Sequence, residues 1–384
     1  MSELLTFLMS YETLRFVWWL FLGVLLIGFA IMDGFDLGVG ALLPFVAKTD
    51  EERRVLINTI GPTWEGNQVW FILGGGAIFA AYPLIYATAF SGFFVALILV
   101  LFALILRPVG FDYRSKLPNP RWRSTWDWGL FIGGFVPSLV FGVAFGNLLQ
   151  GVPFHFDDSL RVHYEGNFFG LLNPFGLLVG VVSLSMLVMQ GAAFLQLKTV
   201  GILRDRSRTA LGMAALVFGV SFAAAGAWIA LGIDGYVLTS FAGTEGASNP
   251  VAKEVIQKSG AWFSNYQTAP ALWLVPGLAF LGAFGAWRLA PARPGLGFIA
   301  SSVAVACTIL TAGIAMFPFM MPSSLNPSHS LTVWDATSSL HTLRWMFWMV
   351  ILFLPLIILY TSWVFRVLRG PVTVEQVRDS HELY

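Results

Sequence analysis

Apolar residues in this chain neither alternate with polar ones nor keep to one face of a helix. They run unbroken for about 20 residues at a time, the length that crosses a bilayer's hydrocarbon core as a helix. Such runs follow one another along the chain, separated by short polar or basic connections. The pattern predicts nine helical spans, at roughly 17–45, 62–82, 84–106, 128–149, 170–195, 210–232, 270–288, 297–319 and 343–365. A transmembrane barrel would show strands of about ten residues with alternating character, and none occurs. The expectation is an all-α, polytopic membrane protein. A single integral membrane domain covers 1–370, followed by a polar cytoplasmic tail, 371–384, whose end EQVRDSHELY is expected to fray.

The connections orient the spans, because cytoplasmic loops carry an excess of Lys and Arg. With the N-terminus outside and the C-terminus cytoplasmic, only Arg15, Arg161, Lys253, Lys258 and Arg344 of the 22 basic residues fall outside. The remaining 17 fall inside, and the inside leads at every alternation. The outside loops 151–170, 234–267 and 322–341 are long and polar-aromatic, as loops that cap a site or a partner often are; a plain surface loop is the alternative for each. No internal repeat of 20–50 residues is present.

Composition sharpens the class. Of 384 residues 57% are hydrophobic and 11% charged, against about 25% charged in soluble domains, and mean hydropathy is +0.74. The net charge of +1, with no basic patch interleaved with aromatics, gives no reason to expect a nucleic-acid partner. The single cysteine, Cys307, lies in an apolar run, so no disulfide forms within the chain. The start, MSELLTFLMSYETLRF, has acids before its apolar run and no basic region, unlike a cleaved signal peptide.

Candidate chemistry is sparse. His155, His163, His329, His341 and His381 all fall in outside loops, at a helix mouth or in the tail. Haem in a bundle needs an axial ligand from a facing helix, usually His, so the chain alone is a poor haem carrier. Met186, Met189, Met316, Met320 and Met321 are better read as core filling than as ligands. No metal or nucleotide motif is present, and the glycines of GGGAIFAA (74–81) suit close helix packing. Intramembrane acids are the strongest signal, since a carboxylate in the hydrocarbon core costs about 2.5–3.5 kcal/mol. Asp33 and Asp36 share a face of the first span, at spacing i, i+3. Glu65 opens the second span amid Trp64, Asn67 and Gln68, and Asp112 ends the third. On the other side Asp234 and Asp335 sit at helix mouths. Each acid could cap a helix or pair with an arginine, a reading that suits Asp112 near Arg107, Arg114 and Lys116. The functional reading, strongest for Glu65, is a proton relay through acids, amides and water.

These residues sit in segments that resemble subunit 2 of the bd-type quinol oxidases, bacterial terminal oxidases. The resemblance runs from YETLRFVWWL to SWVFRVLRG, through LIGFAIMDGFDLGVG, ERRVLINTIGPTWEGNQVW, RPVGFDYRSK, RWRSTWDWG, FGNLLQGVPF, LNPFGLL, GIDGYV, LTAGIAMFPFMMPSS and LTVWDATSS. It implies a haem-free partner of a larger subunit 1, which carries two b haems, haem d and the quinol-oxidising loop. It implies oxidation of quinol on the outer side and reduction of dioxygen to water in the bacterial inner membrane, without proton pumping. It implies an acid at Glu65, Asp in some members, that feeds a proton channel towards haem d. Asp33, Asp36, Asp112 and Lys116 match positions near the same intake. A bound quinone or lipid and a small accessory subunit are further implications. The expected arrangement is two four-helix bundles plus one peripheral helix. The alternatives are a stand-alone proton-coupled transporter, which often shows inverted repeats, and a scaffold whose acids are structural.

Overall fold

A computed structural model describes residues 9–379; His381 and the end of the tail lie outside them. Its helices are α1 (Tyr11–Val46), α2 (Asp50–Ile60), α3 (Trp64–Ala81), α4 (Pro83–Gly92), α5 (Phe94–Tyr113) and α6 (Pro120–Gln150). The second half adds α7 (Pro174–Lys198), α8 (Gly201–Gly232), α9 (Leu274–Leu289), α10 (Pro294–Met316), α11 (Leu340–Val367) and α12 (Val374–Asp379). Local chemistry sets several of the starts. Ser10, Asn119, Asn173 and Ser339 accept backbone N–H bonds at the N-termini of α1, α6, α7 and α11. Pro120, Pro174 and Pro294 occupy first-turn positions, where no donor is lost. Thr49 and Glu52 form a reciprocal capping box on α2.

Among the described residues eight helices are long and apolar enough to cross a membrane. The second expected span, α3, is a helix of 18 residues whose first turn carries Glu65, Asn67 and Gln68; those polar residues keep it off that count. The third expected span is divided at Phe93, which separates the short α4 from α5. Chain order pairs α5 with α6, α7 with α8 and α9 with α10, while α1 packs against α3, α6, α7 and α10. The α1 crossings are close because glycines meet backbone. A Cβ on Gly38 would lie 2.1 Å from the Leu187 carbonyl oxygen, and one on Gly134 would lie 2.3 Å from that of Leu37. The run Gly74–Gly76 does not pack this way: a Cβ on any of the three would meet nothing within 4 Å.

The three long loops gather at one end and fold into antiparallel two-stranded sheets. They are β1–β2 (Phe154–Phe156, Val162–Tyr164), β3–β4 (Asp234–Phe241, Lys253–Ser259) and β5–β6 (Phe319–Met321, Leu331–Thr332). The opposite, basic end carries α2, the turn after α5 and α12. The tail departs from the expected fraying as far as residue 379. Val377 is buried, and Arg378 holds Glu51 of α2 through two hydrogen bonds of 2.6 and 2.8 Å.

Candidate functional site

The acids of α1 meet α3 and α5 near the basic end. Three residues apart on α1, Asp33 and Asp36 lie on one face, and both are 1% exposed. Asp33 is clasped by Arg107 of α5, whose two terminal nitrogens donate to its oxygens at 2.7 and 3.1 Å. Asp36 Oδ2 accepts from the Asn67 amide at 2.8 Å, while its Oδ1 is buried without a hydrogen-bond partner. Trp64, one turn before Asn67 on the same face, stacks on Phe111 with centroids 5.1 Å apart and lies beneath the Arg107 guanidinium. A small pocket of about 10 Å³ touches Asp36, Arg107, Phe111 and Leu130, the volume that admits about one water molecule. Two carboxylates face one guanidinium in an apolar interior.

Glu65 is not part of this cluster. It is exposed on α3 while Trp64 and Asn67 are buried, because a two-residue step turns the helix by about 200°. Gln68, half-buried, lies nearer the Glu65 side. Asp112 and Lys116 are both exposed, and the pairing expected for Asp112 does not form. Arg107 is taken by Asp33, and Arg114 donates to Asp127 at 2.5 Å and to Asp50 at 2.9 Å.

Asp127 is the acid that sequence reasoning missed. Buried at 1% exposure, it also accepts from Arg53 at 2.7 Å, and Asp50 also accepts from Arg123 at 2.5 Å. The network ties α2, the turn after α5 and α6 together beneath the acid pair. Its signal lies in RWRSTWDWG, but a span predicted to start at 128 places Asp127 in a loop.

The hairpin end has its own buried charges. Arg15, assigned to an outside segment, is fully buried in α1, because the helix begins at Tyr11 rather than at 17. Its guanidinium donates to Thr337 Oγ1, Ser248 Oγ and the carbonyls of Thr244 and Gly246, and lies 3.6 Å above the Tyr11 ring. Lys253 pairs with Asp335 at 3.0 Å. Burial raises the Asp335 carboxyl despite that lysine, and burial lowers Lys253 despite that aspartate. Asp335 also accepts from the Thr332 amide and hydroxyl, whereas Asp234 is exposed on β3.

The described histidines lie in the hairpin loops and at the start of α11. His155 and His163 stack across β1–β2, His329 accepts the Phe156 N–H at Nδ1, and His341 accepts the Trp345 indole N–H. Met186, Met189, Met316 and Met321 are buried in the apolar core.

The chain matches the family described as cytochrome bd terminal oxidase subunit II over residues 14–368. It is 56% identical to cytochrome bd-I ubiquinol oxidase subunit 2 of Escherichia coli (strain K12), over 98% of this chain and 100% of that one. It is 52% identical, with the same coverage, to the probable cytochrome oxidase subunit 2 of Haemophilus influenzae. Identity to cytochrome bd ubiquinol oxidase subunit 2 of Bacillus subtilis is 33%, over 94% of this chain and 97% of that one. The fold is similar to a chain of the bd oxidase from Geobacillus thermodenitrificans, with TM-score 0.67, 16% identity, and coverage of 93% and 98%.

Proposed function

Because the chain belongs to the cytochrome bd terminal oxidase subunit II family, we propose that it is the haem-free subunit of a quinol oxidase and supplies its partner with protons. The observation that carries the assignment is the family match along nearly the whole chain. The relatives are oxidase subunits, so a stand-alone transporter has no support. The two b haems and haem d belong to subunit 1, which is consistent with the histidine placement here. Quinol, membrane lipid and a small accessory subunit complete the proposed assembly in the bacterial inner membrane.

In this reading α3 is the ninth span, its polar first turn covered by subunit 1. The helices group as two four-helix bundles, α1–α3–α5–α6 and α7–α10, with α11 peripheral. Packing supports the peripheral place of α11, which touches α1 and α3 with none of its most apolar stretch buried. The basic end is cytoplasmic and the hairpin end external. Subunit 1 covers the face of α3 that bears Glu65, Ile72 and Phe79, together with the neighbouring side of α11. Both helices leave large apolar side chains exposed. The unpacked glycines 74–76 leave room there for another helix to approach.

The roles divide by face. Glu65, turned outward, passes protons towards subunit 1. Asp36, with one unpartnered oxygen beside a water-sized pocket, is the acid of the inner face that exchanges protons. Asp33 is locked in a bidentate pair and holds Arg107. Asp112 and Lys116 lie at the exposed entrance. The test is quinol-driven oxygen uptake per haem d. Glu65→Asp retains much of the activity, since a titratable group survives on a shorter arm. Glu65→Gln lowers turnover about tenfold or more with the haem bands intact, a barrier increase of about 1.4 kcal/mol. Near-normal turnover in Glu65→Gln removes that carboxylate from the obligatory path.

A further inference from the structure

A second and larger cavity, about 480 Å³, lies at the basic end, within the size range of sites that hold organic ligands. Its walls come from the end of α2, the turn before α3, the ends of α7 and α11, and the segment 368–376. The inner wall is apolar. Phe194 and Phe365 line it, each packed on the Phe35 ring of α1 at centroid distances of 4.0 and 6.3 Å, together with Leu368, Pro371 and Val372. Asn58, Thr59 and Thr63 border it too, but they donate to the carbonyls of Arg54, Leu56 and Ile60 within their own segment. Such a wall suits hydrocarbon better than water.

The rim differs from the wall. Two charged residues line the cavity, Lys198 and Arg369, and both are cations. The Lys198 ammonium donates to the carbonyls of Leu368 and Gly370, and the Val372 N–H donates to the Lys198 carbonyl at 2.9 Å. These bonds fold the segment after α11 over the cavity and leave the ammonium one of its three donors. Arg369 is exposed and makes no hydrogen bond or ion pair among the described residues. Tyr360 and Trp363 are exposed on the last turns of α11, where aromatic side chains mark the boundary between hydrocarbon and headgroups. Arg369 follows Trp363 by six residues, which brings it to the depth of the phosphates.

We propose that this cavity takes one acyl chain of an anionic phospholipid whose phosphate is held between Lys198 and Arg369, and that the lipid staples the peripheral α11 to α7. An apolar slot with a cationic rim and no carboxylate in its lining recognises a negatively charged amphiphile. A neutral quinone would leave both cations without a counter-charge, and free phosphate would leave the apolar wall uncovered. The proposal rests on α11 being a membrane span at the edge of the assembly. The test uses the assembled oxidase in nanodiscs, whose two leaflets both carry the probe, so the outcome does not depend on which end is cytoplasmic. The probe is phosphatidylglycerol with a diazirine at the end of one acyl chain, and mass spectrometry locates the label after illumination. Label is expected on the peptides that carry Phe194 and Phe365. Unlabelled phosphatidylglycerol competes at least about fivefold better than phosphatidylcholine, the worth of roughly one cation beside a charged headgroup. Arg369→Gln lowers labelling by about the same factor, and Arg293→Gln, at another basic connection, leaves it unchanged. Hydrogen exchange in the last turns of α11 slows when phosphatidylglycerol is added to the wild type, and not in Arg369→Gln.

Label absent from both peptides overturns the slot, and equal competition by phosphatidylcholine overturns the charged rim. Displacement by inorganic phosphate as complete as by phosphatidylglycerol makes this an anion site and overturns the acyl chain. Displacement by a short-chain quinone at lower concentration than by phosphatidylglycerol makes it a quinone site and overturns the lipid. Exchange in α11 that ignores phosphatidylglycerol overturns the staple. Should Arg369→Gln fail to assemble, the competition series on the unaltered complex decides. Haem bands and quinol-driven oxygen uptake of the same sample report the subunit assignment separately.

Discussion

Asp33 and Arg107 show how little a buried ion pair reveals until one half is removed. Two buried charges bound by two hydrogen bonds roughly offset their own desolvation, whereas a lone buried charge costs about 3–5 kcal/mol. Arg107→Met should therefore sharply reduce the yield of assembled, haem-bearing complex, and Asp33→Asn combined with Arg107→Gln should recover part of it. Thermal unfolding of the purified complex measures the difference. Lys253 and Asp335 obey the same logic at the other end. The folded Asp335 carboxyl is raised, so it favours the fold only at acid pH and loses that contribution as pH rises above the ordinary aspartate range. The folded Lys253 is lowered, so its contribution is full above the ordinary lysine range and is lost as pH falls. Between those ranges both charges are held at a cost. Lys253→Met with Asp335→Leu should match or exceed wild-type stability near neutral pH, while Lys253→Met alone should fall below it.

Helices and hairpins were unequally legible. Unbroken apolar runs located every long helix, because burying a backbone in lipid demands helix wherever the run is long enough. They could not show the break at Phe93 or the early start of α1, where polar residues continue a helix beyond the hydrocarbon. Glycines misled in a specific way. The triple run at 74–76 looked like a packing seam, but the seam is made by Gly38, Gly134 and Gly191 on three different helices. Gly191→Leu should prevent folding of this chain, since even a Cβ would lie 2.6 Å from α1 backbone. Gly75→Leu should leave the fold intact and weaken only association with subunit 1, as pull-down yield would report. Among the loops, β1 hangs on the Phe156 N–H bond to His329, and an imidazolium cannot accept it. Burial, with Lys253 and His155 nearby, lowers the pKa of this histidine below its ordinary 6.5. The bond is therefore kept above that value and lost as pH falls through the lowered one. Hydrogen-exchange protection of the Phe156 amide should drop at acid pH in the wild type and be low at every pH in His329→Phe.

For the whole molecule, membrane class, the places of the long helices and family were legible, while the layout of the site was only partly so. Glu65, Asn67 and Gln68 were grouped because they are neighbours in sequence, yet one helix face turns Asn67 to Asp36 and leaves Glu65 outside. Asp36 and Asn67 are 31 residues apart and Asp33 and Arg107 are 74 apart, distances across which a local pattern carries no information. The exposed side of α3 and α11 gives the chain a face suited to another protein. Expressed without subunit 1 it should be degraded or aggregate, and expressed with it the two should co-purify one to one. Stable, monodisperse material from this chain alone would argue against an obligate partnership.

The Asp33–Arg107 clasp also fixes an order of events at the ribosome. Asp33 enters the membrane 74 residues before its counter-ion is made, a delay of about 4–15 s at ordinary rates of elongation. For that interval α1 is a nascent segment with two unsatisfied acids, each costing about 2.5–3.5 kcal/mol in lipid. Its apolar length must outweigh them, or the insertion machinery must shelter it until α5 emerges. A stalled chain ending before Arg107 should crosslink to the translocon through α1, and one extended well past Arg107 should release it.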